Sequence, residues 1–454
     1  MRLHDTLTNQ EREFTHDGDH VNLYVCGVTP YAPSHLGHAM TFIIFDVLRR
    51  YLEHKGFNVM HVQNFTDIDD KIIQHSQEQG IPSEELAEKC ISQYFEDMDA
   101  LNVKHAHEYP RATQEVPEMV AMIQKLQELG HAYVVGGDVY FRVRSNVDYG
   151  KLSHRSLDES IAGARVEVND MKEDPMDFAL WKAAKSGEPS WDSPWGKGRP
   201  GWHIECSVMS LKYLDWVIDI HGGGQDLMFP HHENEIAQTE AYTGEQPSVR
   251  FWMHSGLLQL DQGKMSKSIG NLVTIEKAIE AYGGNVLRLF FLSSHYRSPL
   301  RYSSESLERS KQAFARLVGA IRPSVAIDSD TAIDTDSYTE SFHMAMDDNI
   351  NTPKAIAVLF ELARAINRHK DEGYGVDEAQ QTLRELAGIL GLVLEDPDFG
   401  SSANITPFVE LLIDVRLRLR KGENYDMADT IRQGLAGLGV TIEDTQDGTQ
   451  WRLS

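Results

Sequence analysis

Residues 21–68 leave little freedom of fold. VNLYVCGVTPY begins as a β-rich run and ends in Gly/Thr/Pro punctuation, which reads as a strand entering a loop. AMTFIIFDVLRRYLEHKG follows as a helix, with Phe42, Phe45, Leu48 and Leu52 near one face and Gly56 as its stop. FNVMHVQNFTDIDD reads as a second strand running into a polar loop. Strand, helix and strand in this order make a βαβ unit, which points to a parallel sheet in an α/β fold. Strand-into-glycine character returns at DWVIDIHGGG, so the sheet resumes there. Residues 116–199 are then expected to be an insertion that splits it.

Between the second strand and that return, residues 83–130 read as helical with Ser83 as a cap. HAYVVGGDVYFRVR reads as a β-hairpin around Gly136-Gly137. The stretch 183–201, rich in Gly, Pro, Ser and Trp, reads as a loop. From about residue 275 to 390 the pattern is helical, interrupted by an acidic stretch with Asp328, Asp330, Asp334 and Asp336. A last segment from 404 pairs a basic helix with a short β-like end, GVTIEDTQDGTQWRLS.

Three strings carry chemistry. His35-Leu36-Gly37-His38 lies after the first strand and opens a helix. Backbone N–H groups and the helix dipole attract phosphate there, glycine permits close approach, and the imidazoles add donors. Alone, the string also fits two surface histidines beside a helix cap. Lys264-Met265-Ser266-Lys267-Ser268 sits on a Ser/Gly-rich loop and could follow a polyphosphate, although a solvated basic loop would look the same. The third is PHHENE. His231 and Glu235 are four residues apart and share a helix face, with Pro230 suited to the first turn. Cys26 and Cys206 lie in glycine and histidine surroundings, and two thiolates with an imidazole and a carboxylate suit Zn²⁺. His203, His221 and His232 are nearby, so spacing does not choose the ligands. Cys90, within a helical pattern, reads as a buried structural thiol.

Composition narrows the setting. Three cysteines in 454 residues cannot form a disulfide framework and fit a reducing compartment. MRLHDTLTNQ has no apolar core of signal-peptide length, and no apolar run reaches a membrane span, so a cytoplasmic protein is expected. The net charge of −26 disfavours a general nucleic-acid coat protein.

H-x-G-H after the first strand with KMSKS well downstream resembles the class I aminoacyl-tRNA synthetases. YVCGVTPYAPSHLGH, NFTDIDDKI, GWHIECS, HGGGQDLMFPHHENEIAQ, WMHSG and KMSKSIGN, in this order, resemble the cysteinyl-tRNA synthetase family over essentially the whole chain. The resemblance implies a Rossmann-type catalytic domain over 1–115 and 200–245, with a connective insertion over 116–199. It further implies a stem-contact fold with the KMSKS loop over 246–310, a helical bundle over 311–395, and a small mixed α/β anticodon-binding domain over 404–454. It also implies one Zn²⁺ on Cys26, Cys206, His231 and Glu235. One departure is visible: Ala32-Pro33-Ser34 stands where the family often has an Asp and a Cys.

The reaction implied is activation of L-cysteine by ATP, with Mg²⁺, to cysteinyl-adenylate, then transfer to the terminal adenosine of tRNA(Cys). His35, Gly37, His38, Lys264 and Lys267 are expected to bind ATP phosphates, Gly223 and Asp226 to flank the adenosine, and Gly27, Thr66 and Trp202 to contact cysteine. A monomer with no membrane partner is expected. Rival readings are a cysteine ligase that transfers to an amino sugar, a nucleotidylyltransferase, and a non-catalytic RNA-binding paralogue. The intact KMSKS and zinc residues disfavour the last two. The roughly 50 residues beyond the bundle, with Arg416, Arg418, Arg420 and Trp451, disfavour the first. Residues 297–322 carry six Lys/Arg against two Asp/Glu, and 411–421 four against one. RNA binding is therefore expected to be local, not a property of the acidic whole.

Overall fold

Strand β3 (His20–Val28) is buried along most of its length, with Val21, Leu23, Tyr24, Val25 and Cys26 all shielded from water. That is the pattern of a central strand in a parallel sheet. The computed structural model describes residues 1–16, 18–156, 171–260, 263–264, 273–324, 332–395, 406–445 and 448–453. β3 follows a short antiparallel pair, β1 (Arg2–Asp5) and β2 (Gln10–Glu13). It pairs in parallel with β4 (Asn58–Phe65) on one side and with β9 (Ile218–Gly224) on the other. β10 (Val249–Ser255) extends the sheet from β9, giving the parallel order β10-β9-β3-β4.

Helix α1 (Leu36–His54) crosses from β3 towards β4 and buries Ile43, Phe45, Val47, Leu48, Tyr51 and Leu52. The polar TDIDD loop is shorter than its composition implies, because α2 (Asp70–Gln79) starts inside it with Asp69 as its cap. Helix α3 (Ser83–Ala100) also departs from expectation. Pro82 is its N-cap, without a side-chain bond, and Ser83 is the first helical residue; the Ser83 hydroxyl instead meets that of Ser76 at 3.0 Å.

Helix α4 (Val116–Glu128) leads into a second sheet. β5 (Ala132–Val135) and β6 (Asp138–Phe141) form the hairpin around Gly136-Gly137, and β7 (Phe178–Ala183) and β8 (Gly198–Pro200) complete it antiparallel. The end of the Gly/Pro/Trp stretch is thus a strand, paired through Lys182 and Arg199. Helices α5 (Trp202–Tyr213) and α6 (Glu233–Thr243) flank β9 in the chain. After β10 come β11 (Leu258–Leu260), β12 (Gly263–Lys264), α7 (Ile275–Tyr282), α8 (Gly284–Leu292), β13 (Leu300–Tyr302) and α9 (Ser304–Ile321). Three further helices follow: α10 (Thr335–Asp347), α11 (Thr352–Asp371) and α12 (Asp377–Ile389). No helix among the described residues is long and apolar enough to cross a membrane.

These elements form one unit, Met1–Leu394, and residues Glu395–Ser454 form another. The second unit contains α13 (Thr406–Lys421), α14 (Tyr425–Gly437) and an antiparallel pair, β14 (Val440–Thr445) with β15 (Gly448–Leu453). Of the basic residues on α13, Arg416 is buried and grips Asp444 through both terminal guanidinium nitrogens at 2.8 and 2.7 Å. Arg420 joins the same carboxylate at 2.6 Å, and Arg418 pairs with Asp414 at 2.6 Å. Arg416 therefore builds the unit and is not available to a phosphate.

Within the first unit one cation ties distant elements together. Arg288 of α8 is fully buried. Its guanidinium donates to the carbonyls of Leu390 at 2.7 Å, Leu101 at 3.0 Å and Asn102 at 3.1 Å, and to the carboxylate of Asp46 on α1. Gly391, at φ +68°, lies against this guanidinium; a Cβ there would overlap it. Burial alone would raise the Asp46 carboxyl, but Arg288 and Arg50 outweigh it and hold the group below its ordinary value. A depressed carboxyl contributes stability above its unfolded pKa of about 3.9 and loses it as pH falls through the lower folded value. Arg288→Met strands a buried carboxylate and is expected to cost about 3–5 kcal/mol at neutral pH. Urea titration at neutral pH checks the size, and repeating it in acid checks that the wild type loses this contribution there.

Candidate active site and metal centre

In an open parallel sheet, ligands bind outside the carboxyl ends of the strands, where connections leave a strand in opposite directions. β3 is such a strand, and a cavity of about 320 Å³ lies at these ends. It is lined by Cys26, Gly27, Val28 and Thr29 from β3 and its exit, and by Asn64 and Thr66 from β4. Gly224 at the end of β9, Asp226 just beyond it and Gly256 after β10 close the other side, while His35, Gly37, His38 and Thr41 come from the start of α1. Gly27 is required by close approach, since a Cβ there would fall 1.6 Å from the Asn64 carbonyl oxygen. Its own N–H donates to Asn64 Oδ1 at 2.9 Å.

The two histidines of HLGH cap their own helix. Gly37 N–H donates to His35 Nδ1 at 3.1 Å, and His35 N–H donates to His38 Nδ1 at 3.4 Å. The rings stack with centroids 3.8 Å apart. Because both Nδ1 atoms accept, each neutral ring carries its proton on Nε2. The result is two imidazole donors at the positive end of a helix, an arrangement suited to anionic oxygens.

Deeper in the cavity, sulfur, nitrogen and oxygen donors converge. Cys26 Sγ lies 3.8 Å from Cys206 Sγ, 3.5 Å from Glu235 Oε1 and 3.2 Å from His232 Nε2. His231 Nε2 is 2.9 Å from Glu235 Oε1. Cys26, His231, His232 and Glu235 each place a donor within 4.8 Å of the others, a cluster able to hold a metal ion. Pro230 and His231 do not start the helix as the sequence suggests. They lie in a wide π-type turn, Met228–His232, and α6 proper begins at Glu233. Burial pushes the Cys26 thiol and the Glu235 carboxyl up, while Cys206 is held down to about 7 by the hydrogen bond from Cys26. Burial also drives His221 and His232 well below the ordinary imidazole value. Neutral imidazoles are ligands, and a divalent cation would offset the burial of both thiolates and the carboxylate. That cluster brings one sulfur, two imidazoles and one carboxylate together, with Cys206 Sγ 3.8 Å from Cys26 Sγ as the second thiol of the expected set, and either set of donors fits Zn²⁺.

A second layer holds these ligands. His203 Nδ1 meets His231 Nδ1 at 2.9 Å, which directs the other nitrogen of His231 to Glu235. His232 Nδ1 meets His254 Nε2 at 2.8 Å, and His254 Nδ1 meets Thr6 Oγ1 at 2.8 Å. Trp202 stacks on His231 with centroids 4.4 Å apart and an interplanar angle of 22°, and it lines the cavity.

Residues 13–312 match the family of class I (C) tRNA synthetase catalytic domains, and residues 341–395 match the DALR domain. Cysteine–tRNA ligase of Dehalococcoides mccartyi strain BAV1 is 51% identical over 455 residues, covering 100% of both chains. The enzymes so named from Carboxydothermus hydrogenoformans and Thermococcus gammatolerans are 48% and 47% identical; each alignment covers 100% of this chain and, respectively, 100% and 99% of the relative. The chain belongs to the cysteine–tRNA ligase family. Its fold is also that of a solved methionyl-tRNA synthetase from Mycobacterium tuberculosis in complex with methionyl-adenylate. That match has a TM-score of 0.61 and 16% identity over 87% of this chain and 96% of the other.

In this cysteine–tRNA ligase family member, the residues expected from sequence occupy different depths. Gly27, Thr66, Trp202, His35, Gly37, His38 and Asp226 line the cavity, as do Cys26, Cys206 and His231. Glu235 sits behind them, buried. Gly223 is buried under the loop, where a Cβ would lie 2.8 Å from the His232 ring; its neighbour Gly224 faces the cavity. Of the KMSKS lysines, Lys264 belongs to β12 and Lys267 lies outside the described residues. Sequence reasoning passed over Asn64, Thr41, Lys71 and the support from His203 and His254. For Asn64 a signal existed, a polar residue one place before the carboxyl end of a strand, where an open parallel sheet binds its ligands. For His254 there was none, since only folding brings it to His232. Cys206→Ser is expected to abolish stoichiometric zinc, and His203→Ala to weaken it roughly 10–100-fold. Plasma mass spectrometry and chelator competition check both, and full zinc retention by Cys206→Ser would remove Cys206 from the ligand set.

Proposed function

We propose that this protein activates L-cysteine with ATP to cysteinyl-adenylate and transfers the cysteinyl group to the 3′-terminal adenosine of tRNA(Cys), acting as a cytoplasmic monomer. One observation carries the reading: an anion-binding helix start and a buried thiol, imidazole and carboxylate cluster open into the same cavity. A site for phosphates beside a site for a soft metal suits a substrate pair of ATP and a thiol amino acid. The curated relatives, named cysteine–tRNA ligases over their full length, support the same assignment.

The cysteine carboxylate is already a nucleophile and attacks the α-phosphate without a dedicated base, the α–β phosphoanhydride bond breaking as pyrophosphate leaves; the terminal adenosine hydroxyl then takes the cysteinyl group and AMP leaves. The chain's contribution is positioning and stabilisation of developing phosphate charge. His35 and His38 donate from Nε2 to phosphate oxygens, Gly37 lets the helix start approach them, and Lys264 and Lys267 draw the β- and γ-phosphates, with Mg²⁺ accompanying ATP. Asp226 flanks the adenosine, with Gly224 facing the cavity in place of the buried Gly223, and Gly27, Thr66 and Trp202 surround the amino acid. Zn²⁺ held by Cys26, Cys206, His231 and Glu235 would prefer a thiolate to a neutral hydroxyl and so separate cysteine from serine, which differs by one atom.

ATP–pyrophosphate exchange with cysteine, serine and alanine tests the first step, and charging of transcribed tRNA(Cys) tests the second. Exchange is expected with cysteine, with serine weaker by roughly 10⁴-fold. Charging should follow; exchange without charging would reassign the protein to a ligase with a different acceptor, such as an amino sugar.

A further inference from the structure

Asp70 and Lys71 open α2 at the carboxyl end of β4, and their side chains have different fates. The Asp70 carboxylate binds Lys182 Nζ at 2.6 Å and also Arg199, both from the antiparallel sheet. Burial alone would raise this carboxyl, but the two cations hold it below its ordinary value. Asp70 is thereby committed elsewhere. Lys71 instead lines the active-site cavity and is exposed. Among the described residues its ammonium forms no ion pair, and no other Lys or Arg lines the cavity. It lies 5.3 Å over the ring of Tyr31, which is itself stacked on His75 at 5.3 Å.

The sheet order says which substrate this cation faces. Gly224, Asp226 and Gly256 follow β9 and β10, on one side of β3, and the HLGH helix start follows β3 itself. The loop after β9 and the HLGH helix start are the places proposed above for adenosine and phosphates. Lys71 follows β4, on the opposite side of β3, where nothing proposed for ATP is bound. Thr66, proposed above for cysteine, lies on the same rim, but the cysteine carboxylate is spent on the α-phosphate, so an ammonium with no ion pair among the described residues calls for an anion from the third substrate. That substrate is a polyanion whose end must reach the activated carboxyl group.

We infer that Lys71, braced by the Tyr31 ring, receives the backbone phosphate adjoining the terminal adenosine of the incoming tRNA. The inference rests on the proposed function. Lys71 is then a contact for the second step alone, a point charge that positions the acceptor end without reading its bases.

Lys71→Ala and Lys71→Arg, compared with wild type in cysteine-dependent exchange and in tRNA charging, test it. Charging by Lys71→Ala should lose at least tenfold more than exchange does, chiefly through KM for tRNA. Lys71→Arg, which keeps the charge, should recover most of the loss. The slope of log affinity for tRNA against log salt should become shallower by about 0.7–0.9 in Lys71→Ala, the value for one phosphate contact. Parallel loss of exchange and charging would place Lys71 on ATP or cysteine and overturn the inference, as would no effect on either. Absence of cysteine-dependent exchange in wild type would reject the functional reading itself, a separable outcome.

Discussion

Strand β3 pairs in parallel with β4 on one side and β9 on the other, and the site depends on that double pairing. Parallel pairing aligns the carboxyl ends of the strands, so the loops after each emerge on one rim. β3 supplies Cys26 and Gly27 to that rim, and its exit leads directly to the cap of α1. β4 supplies Asn64 and Thr66, and β9 supplies Gly224 and Asp226. The absence of a side chain at Gly27 lets the rim close, because Asn64 backbone occupies the space a Cβ would need.

The electrostatics of the site follow from burial. Two thiols, a carboxyl and several imidazoles lie within a few ångströms of one another, all shielded from water. Desolvation opposes charge on Cys26 and Glu235 and keeps His221 and His232 neutral. A soft divalent cation bound by such a cluster would displace the thiol protons, which would link metal affinity to local stability. Midway along α1 the balance differs. The Asp46–Arg288 pair is buried but internally matched, and carbonyls of three residues from two further segments take up the remaining guanidinium donors. The helix that presents His35 and His38 is thus anchored at its cap and along its length.

Much of this was legible in the residues. The βαβ opening, the hairpin at Gly136-Gly137 and the return of strand character at DWVIDIHGGG carry strong local signals of periodicity and turn chemistry. Errors arose where tertiary pairing overrode composition. Gly198–Pro200 is a strand because Lys182 and Arg199 stand opposite each other, although its composition is that of a loop. Ser83 resembles a cap, yet the preceding proline takes that place. Arg416 resembles an exposed phosphate ligand by its position in a basic run, but the partner Asp444, 28 residues away, draws it into the interior.

The sequence by itself determined the class of fold, the positions of HLGH and KMSKS, and the inventory of thiols, imidazoles and carboxylates suited to a soft metal. These are properties of short segments, set by periodicity, glycine placement and donor chemistry. Tertiary structure alone decided which donors meet. It put Cys26 beside a cysteine 180 residues away, set His203 behind His231, and placed His232 among the candidate ligands. It also turned Asp70 towards the antiparallel sheet and left Lys71 facing the cavity. Adjacent residues acquire opposite fates there because contacts at the mouth of a parallel sheet join segments that no local pattern connects.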